Sequence, residues 1–236
     1  DVSPNESGQL QGSVHGVKFA RHCQTLLVAA RRGEDPVICL IPAATVAVTQ
    51  GKDLAGEPSD DLELFVQVQP QACFEIDEAK LDAVLVWGAA MRSVMMAGAL
   101  EEALAATVGY ALERKQFGKA IAKFQAIQQQ LAVFATQVAA STRAAETLMV
   151  QSEIASIDVA IAKARIGEAA GICAEIAHQV HGAIGYTRDH RLNHLTRRLW
   201  AWRDAFGHEA YWQERLGRTL LADQTGDLWQ QVTALG

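Results

Sequence analysis

Two short stretches pair side chains that can hold a phosphate or a sugar edge with glycines that bare the backbone. The first is Glu113-Arg114-Lys115-Gln116-Phe117-Gly118, followed by Phe124-Gln125-Ala126-Ile127-Gln128. The second is Gln179-Val180-His181-Gly182-Ala183-Ile184-Gly185-Tyr186. An arginine guanidinium is a planar fork that suits phosphate oxygens better than an ammonium does. The amides of Gln125 and Gln179 offer both a donor and an acceptor. Gly182 and Gly185 have no Cβ, so a ligand can approach the main chain closely. Taken singly, each stretch also reads as an ordinary turn that ends a helix.

Other reactive side chains lead to plainer readings. His190 and His194 are four apart, and His178 and His181 three apart, spacings that could grip a metal from one helix face. No Glu-x-x-His set accompanies them and Asp189 is a poor third ligand, so they read as surface or junction histidines and no metal is assigned. Cys23, Cys39, Cys73 and Cys173 are far apart and form no CxxC pair. Reduced, buried thiols and a cytoplasmic setting are expected. Trp200, Trp202, Phe206, Tyr211 and Trp212, interleaved with Arg197, Arg198 and Arg203, imitate a nucleic-acid strip. Their spacing is that of a bundle helix, and a net charge of −6 leaves no basic stripe for phosphates. No nucleic-acid partner is expected. Met91, Met95 and Met96 read as gap-filling core residues.

The elements that must position these residues fall into two halves. Residues 1–76 read as β-structure. Leu26–Val28 and Val37–Ile41 are apolar runs on either side of the turn-forming residues Arg32 to Pro36. Leu62, Leu64, Val66 and Val68 alternate with polar neighbours, the period of a strand with one buried face. Residues 77–236 read as helices rich in Ala, Leu, Glu and Gln. One is expected from about residue 79 to Gln116, ending at Gly118. A second carries the stripe Phe124, Ile127, Leu131, Phe134 and Val138. A third covers about 143–180, and a fourth carries Leu192, Leu195, Leu199, Trp202 and Phe206. The fold class is therefore α+β, a small antiparallel β-domain followed by an antiparallel four- to five-helix bundle. No uncharged run of about 18 apolar residues is present, and no signal peptide opens the chain at Asp1, so membrane insertion is not expected.

In this order, after a β-domain, the two stretches resemble the C-terminal bundle of the acyl-CoA dehydrogenase family. That bundle carries an Arg-x-x-Phe-Gly turn, a helix with an early glutamine, and a later Gln-x-x-Gly-x-x-Gly-Tyr/Phe turn. Gly12–Ala30 and Ile38–Ala43 resemble the later strands of the family's middle β-domain. The resemblance implies FAD as cofactor and an acyl-CoA thioester as substrate, in fatty-acid or steroid side-chain catabolism. It implies cofactor contacts from Arg114, Gln116, Phe117, Gly118, Gln125, Gln179, His181, Gly182 and Gly185. It also implies a homo- or hetero-oligomer with FAD at the subunit interface.

The same resemblance exposes a gap. The family's reaction needs a glutamate to remove the α-proton, because proton abstraction requires a positioned acceptor. One family position for it aligns with Phe206, followed by Gly207-His208; the other aligns with Gly88, beside Ala89. Neither is acidic. Asp204 and Glu209 flank the first position and are the weak candidates for a base, while His208 could touch flavin or substrate. The family's N-terminal substrate-binding domain is expected either from a longer protein of which this sequence is a fragment or from a partner subunit. Three readings follow: a dehydrogenase subunit, a non-catalytic partner completing the FAD site of a heteromer, or another flavoenzyme on the scaffold, such as an oxidase or monooxygenase.

Overall fold

The computed structural model describes residues 3–4, 8–150, 154–222 and 229. The chain divides into two compact units, Asp1–Leu85 and Val86–Gly236.

The first unit is built from two antiparallel sheets. One has the order β1 (Ser3–Pro4), β2 (Gln9–Lys18), β6 (Ser59–Gln67), β5 (Ala47–Thr49); the other has β3 (Thr25–Arg32), β4 (Asp35–Pro42), β7 (Cys73–Glu75). The expected alternation in β6 is present: Asp60, Leu62, Leu64 and Val66 are buried while Phe65 points out, 69% exposed. The hairpin β3–β4 closes through Gly33-Glu34, with Gly33 at φ 64, a left-handed conformation that glycine adopts without a Cβ clash. Leu10, Leu26, Val28, Val37, Ile41, Leu62 and Leu64 fill one common core.

Among the described residues of that unit, one charged residue is buried. Asp60 is fully covered, and it accepts from the Arg21 backbone N–H at 2.9 Å, from Arg21 Nε at 2.9 Å and from the Gly51 N–H at 3.2 Å. The Arg21 guanidinium holds the carboxyl well below the usual carboxylate range. The pair ties β6 to the turn Ala20–His22 and to the loop at Gly51.

The second unit is helical: most of α1 (Glu78–Glu113), then α2 (Gln125–Val150), α3 (Ser156–His181), α4 (Arg191–Asp204) and α5 (Glu209–Ala222). α1 is long and apolar enough to cross a membrane by length and composition. Its buried residues are mostly small, among them Ala89, Ala90, Ala97 and Ala103. Small residues let neighbouring helices approach closely. α3, rich in alanine and glycine, packs against α2, α4 and α5. Hydroxyls in these apolar seams bond back one turn: Ser93 to Ala89 O at 2.8 Å, Thr107 to Ala103 O at 2.6 Å, Ser141 to Gln137 O at 2.8 Å.

Several helix boundaries differ from the expectation, and the fourth helix ends at Asp204, which leaves Phe206 outside it with a left-handed φ. The first helix ends at Glu113 rather than Gln116, because Phe117 (φ 49) and Gly118 (φ 79) are both left-handed. They form the two-residue turn of a hairpin, β8 (Lys115–Gln116) with β9 (Lys119–Ala120). The third helix does not begin near residue 143, because the second runs through that point to Val150. The second helix's buried positions Phe134, Val138, Ser141, Ala145 and Leu148 keep the three-and-four spacing without a break, so nothing there ends it. The third helix accordingly starts at Ser156, with Asp158 in its first turn, where an acidic side chain suits the helix dipole.

Candidate functional site

The second unit brings the two motif stretches together. Tyr110, one turn before Arg114, stacks on His181, one residue before Gly182, with ring centroids 4.4 Å apart and planes 21° apart. The Arg114 backbone N–H donates to Tyr110 O at 2.9 Å, so the chain leaves α1 directly beside this stack. The ends of α1 and α3 thus lie side by side, and the Arg114 hairpin and the Gly182 turn belong to one end of the bundle.

Most of the residues expected at a cofactor are exposed at that end. Arg114, Gln116, Gly118, Gln125 and Gln179 are open to solvent, and Phe117, at the hairpin tip, is 92% exposed. The Arg114 guanidinium meets no carboxylate among the described residues. Gly182 closes α3 at φ 65, ψ −148, a conformation open essentially to glycine alone, and a Cβ there would have nothing within 4 Å. An open guanidinium, exposed amides and a bare backbone turn fit an anionic, nucleotide-like group.

Two expected contacts lie inside instead. His181 is 4% exposed, its Nδ1 paired with Ala177 O at 2.8 Å and its ring against Tyr110, so it positions the turn from beneath. Gly185 is buried, and a Cβ there would come within 2.9 Å of His181 Cβ and 3.1 Å of Leu192 Cδ2. Its missing side chain serves packing between α3 and α4. Of the four histidines expected as surface or junction residues, His178, His181 and His190 lie at this junction, while His194 is exposed on α4. His178 Nε2 pairs with Thr196 Oγ1 at 2.9 Å, and its ring stacks on Tyr186 with centroids 4.2 Å apart. His190 Nδ1 accepts from Leu192 N at 3.2 Å and caps α4.

A second place of interest is the α4–α5 turn. Phe206 (φ 57) and Gly207 (φ 88) are both left-handed. The Phe206 ring lies on α1, where a Cβ on Gly88 would fall 2.3 Å from Phe206 Cδ1. The two positions at which the resemblance seeks a base are therefore neighbours, and between them they hold a phenyl ring and a hydrogen.

This turn is held by donors. The fully buried Lys163, from the middle of α3, donates through Nζ to Arg203 O at 2.6 Å and Gly207 O at 2.8 Å. Trp212 Nε1 donates to Phe206 O at 2.9 Å. Burial pulls the Lys163 pKa down to about 8. Sequence reasoning passed over Lys163; its signal was a lone cation inside the apolar run Val159–Ala164. Of the flanking acids, Asp204 is exposed. Glu209 is gripped by Arg203, whose Nε donates to Oε2 at 2.8 Å, and this partner holds it down to about 2. A carboxylate with so low a pKa is a weak proton acceptor. His208 is exposed, and its Nδ1 accepts from Tyr211 N at 3.4 Å at the start of α5.

These features agree with known proteins. Residues 81–221 match the family model described as "Acyl-CoA dehydrogenase, C-terminal domain". The chain is 39% identical over 117 residues to the caffeyl-CoA reductase–Etf complex subunit CarC of Acetobacterium woodii, a match covering 47% of this chain and 29% of that protein. It is 34% identical over 139 residues to acyl-CoA dehydrogenase FadE27 of Mycobacterium tuberculosis, covering 49% and 37%. Among solved structures, the ChsE4–ChsE5 complex from Mycobacterium tuberculosis superposes with a TM-score of 0.83 at 25% identity, over 96% of this chain and 63% of that one. Glutaryl-CoA dehydrogenase from Mycobacterium smegmatis shares the fold with a TM-score of 0.85 at 22% identity, over 93% and 60%. This chain thus spans under two thirds of the proteins it matches. The chain belongs to the acyl-CoA dehydrogenase family.

Proposed function

We propose that the chain completes the FAD site of an acyl-CoA dehydrogenase assembly while another chain supplies the base that removes the α-proton. The observation that carries this is the Phe206 ring packed on Gly88. Neither residue is acidic, Glu209 is committed to Arg203, and Asp204 is exposed to solvent.

FAD, when bound, accepts the hydride that leaves the acyl β-carbon. This chain's own contribution is binding and shape. Arg114 meets the charge of the pyrophosphate, Gln125 and Gln179 hydrogen-bond its polar edges, and the hairpin tip at Phe117 reaches beyond its own chain. Gly182 leaves the backbone open for close approach. Lys163 and Trp212 hold the Phe206 turn in one conformation, so the ring stays at the place where the family's carboxylate acts. Support for an assembly comes from two relatives that are named as parts of complexes, the CarC subunit of the caffeyl-CoA reductase–Etf complex and ChsE4–ChsE5.

The test is to purify the chain alone and with its co-expressed partner, then assay acyl-CoA-dependent reduction of an electron acceptor. A general base contributes about 10²–10⁴-fold in rate. Activity confined to the complex and unchanged by Asp204→Asn is expected. Full activity of the isolated chain, abolished by Asp204→Asn or Glu209→Gln, would return the base to this chain and overturn the proposal.

A further inference from the structure

The first unit holds a pair of cysteines that the proposed function does not use. Cys39 on β4 and Cys73 on β7 are directly opposed across the antiparallel ladder. Their sulfurs are 2.9 Å apart. Opposed residues on such a ladder have Cα atoms about 4.5–5.5 Å apart, inside the roughly 4.4–6.8 Å that a disulfide requires. Closing the bond shortens the sulfur separation by about 0.9 Å, down to the usual length near 2.05 Å. No backbone rearrangement is demanded.

The two sulfurs differ in setting. Cys39 is fully covered, and burial pushes its thiol up to about 12. Cys73 is only partly buried, on the edge strand of its sheet, and Arg32 Nη2 donates to its sulfur at 3.4 Å. Arg32 is itself steadied by Glu75, two residues along the same face of β7, at 3.6 Å. A partly exposed sulfur beside a guanidinium is the setting in which reactive cysteines occur.

We infer that Cys39 and Cys73 form a reversible oxidation site, in which Cys73 reacts first with a hydroperoxide and Cys39 resolves it to a disulfide. In the first step the Cys73 sulfur attacks the peroxide. An S–O bond forms, the O–O bond breaks, and the departing hydroxide takes a proton and leaves as water. Cys73 is then a sulfenic acid, oxidised by two electrons, and the peroxide is reduced. In the second step the Cys39 sulfur attacks Cys73. The S–S bond forms, the S–O bond breaks, and the hydroxyl leaves with the Cys39 proton as a second water. The sum is two thiols and hydrogen peroxide going to one disulfide and two waters. The product staples the short edge strand β7, which leads into α1, to the central strand β4.

The test uses the whole chain with hydrogen peroxide as the oxidant, and wild type alone decides it. After graded exposure, free thiols are alkylated in denaturant and the digest is read by mass spectrometry. The expected product is one cross-linked pair of peptides containing Cys39 and Cys73, lighter than their sum by two hydrogen atoms and restored by dithiothreitol. Cys39→Ala should trap Cys73 as a dimedone-reactive sulfenic acid, whereas Cys73→Ser should leave Cys39 alkylatable at the same dose. The exposed Cys23 and the buried Cys173 serve as internal references. Cys39 and Cys73 remaining alkylatable at doses that fully oxidise Cys23 would overturn the inference. So would a cross-link that joins different chains.

Discussion

The phenyl ring of Phe206 occupies the space in front of Gly88, so close that a methyl on residue 88 would come within 2.3 Å of Phe206 Cδ1. The two residues are therefore mutually dependent. Gly88→Ala is expected to destabilise the fold by about 1–3 kcal/mol, the usual effect of overpacking. In a Phe206→Ala background the same change should be close to neutral. Urea unfolding of the four proteins gives the coupling energy directly. A Gly88→Ala penalty that persists without the ring would show that some other neighbour is in the way.

Lys163 should matter more than its single charge suggests. Replacing it with methionine strips Arg203 O and Gly207 O of their donor and is expected to destabilise by about 2–4 kcal/mol, since each buried orphan carbonyl costs about 1–3. The ionisation has a sign that can be measured. The native lysine releases its proton near pH 8, the unfolded one near 10.5. Between those values the unfolded chain binds more protons, so the Lys163 contribution to stability increases with pH. Chemical denaturation from pH 7.5 to 10.5 should show that rise in wild type and not in Lys163→Met.

The histidines at the α3–α4 junction point to the acid side. Burial lowers the pKa of both His178 and His181 from 6.5, and the neighbouring His190 adds to this. Their neutral forms are the ones the native state prefers, so their contribution is present above pH 6.5 and is lost as pH falls below it. The melting temperature should drop from pH 7 to pH 5. His181→Phe, which keeps a ring against Tyr110, should shrink that drop; an undiminished drop would assign it elsewhere.

Arg114 separates binding from folding. It is exposed, so Arg114→Ala is expected to leave the melting temperature of the isolated chain unchanged. In the flavin-loaded assembly it should weaken FAD by about 1–3 kcal/mol, the usual loss for a charge-assisted hydrogen bond. Flavin fluorescence titration measures this, and an unaltered affinity would remove Arg114 from the cofactor.

Much of this was legible in the chain itself, because periodicity is local. The alternation of Leu62, Leu64 and Val66 and the stripe from Phe134 to Val138 report which face is buried whatever lies opposite. The motif glycines likewise mark turns, and Gly118 and Gly182 stand at them with positive φ. What was misread needed partners. The helix end at Glu113 depends on a left-handed pair at Phe117-Gly118, and phenylalanine gives no local sign of adopting such a φ. The packing of His181 and Gly185 in the seam that joins α3 to α4 likewise has no local sign in the sequence. Most of all, nothing in the sequence says that residues 88 and 206, more than a hundred positions apart, touch. The missing base could be suspected from each position alone. That a ring fills its place, held by Lys163 from a third helix, is decided only when packing brings three distant segments to one point.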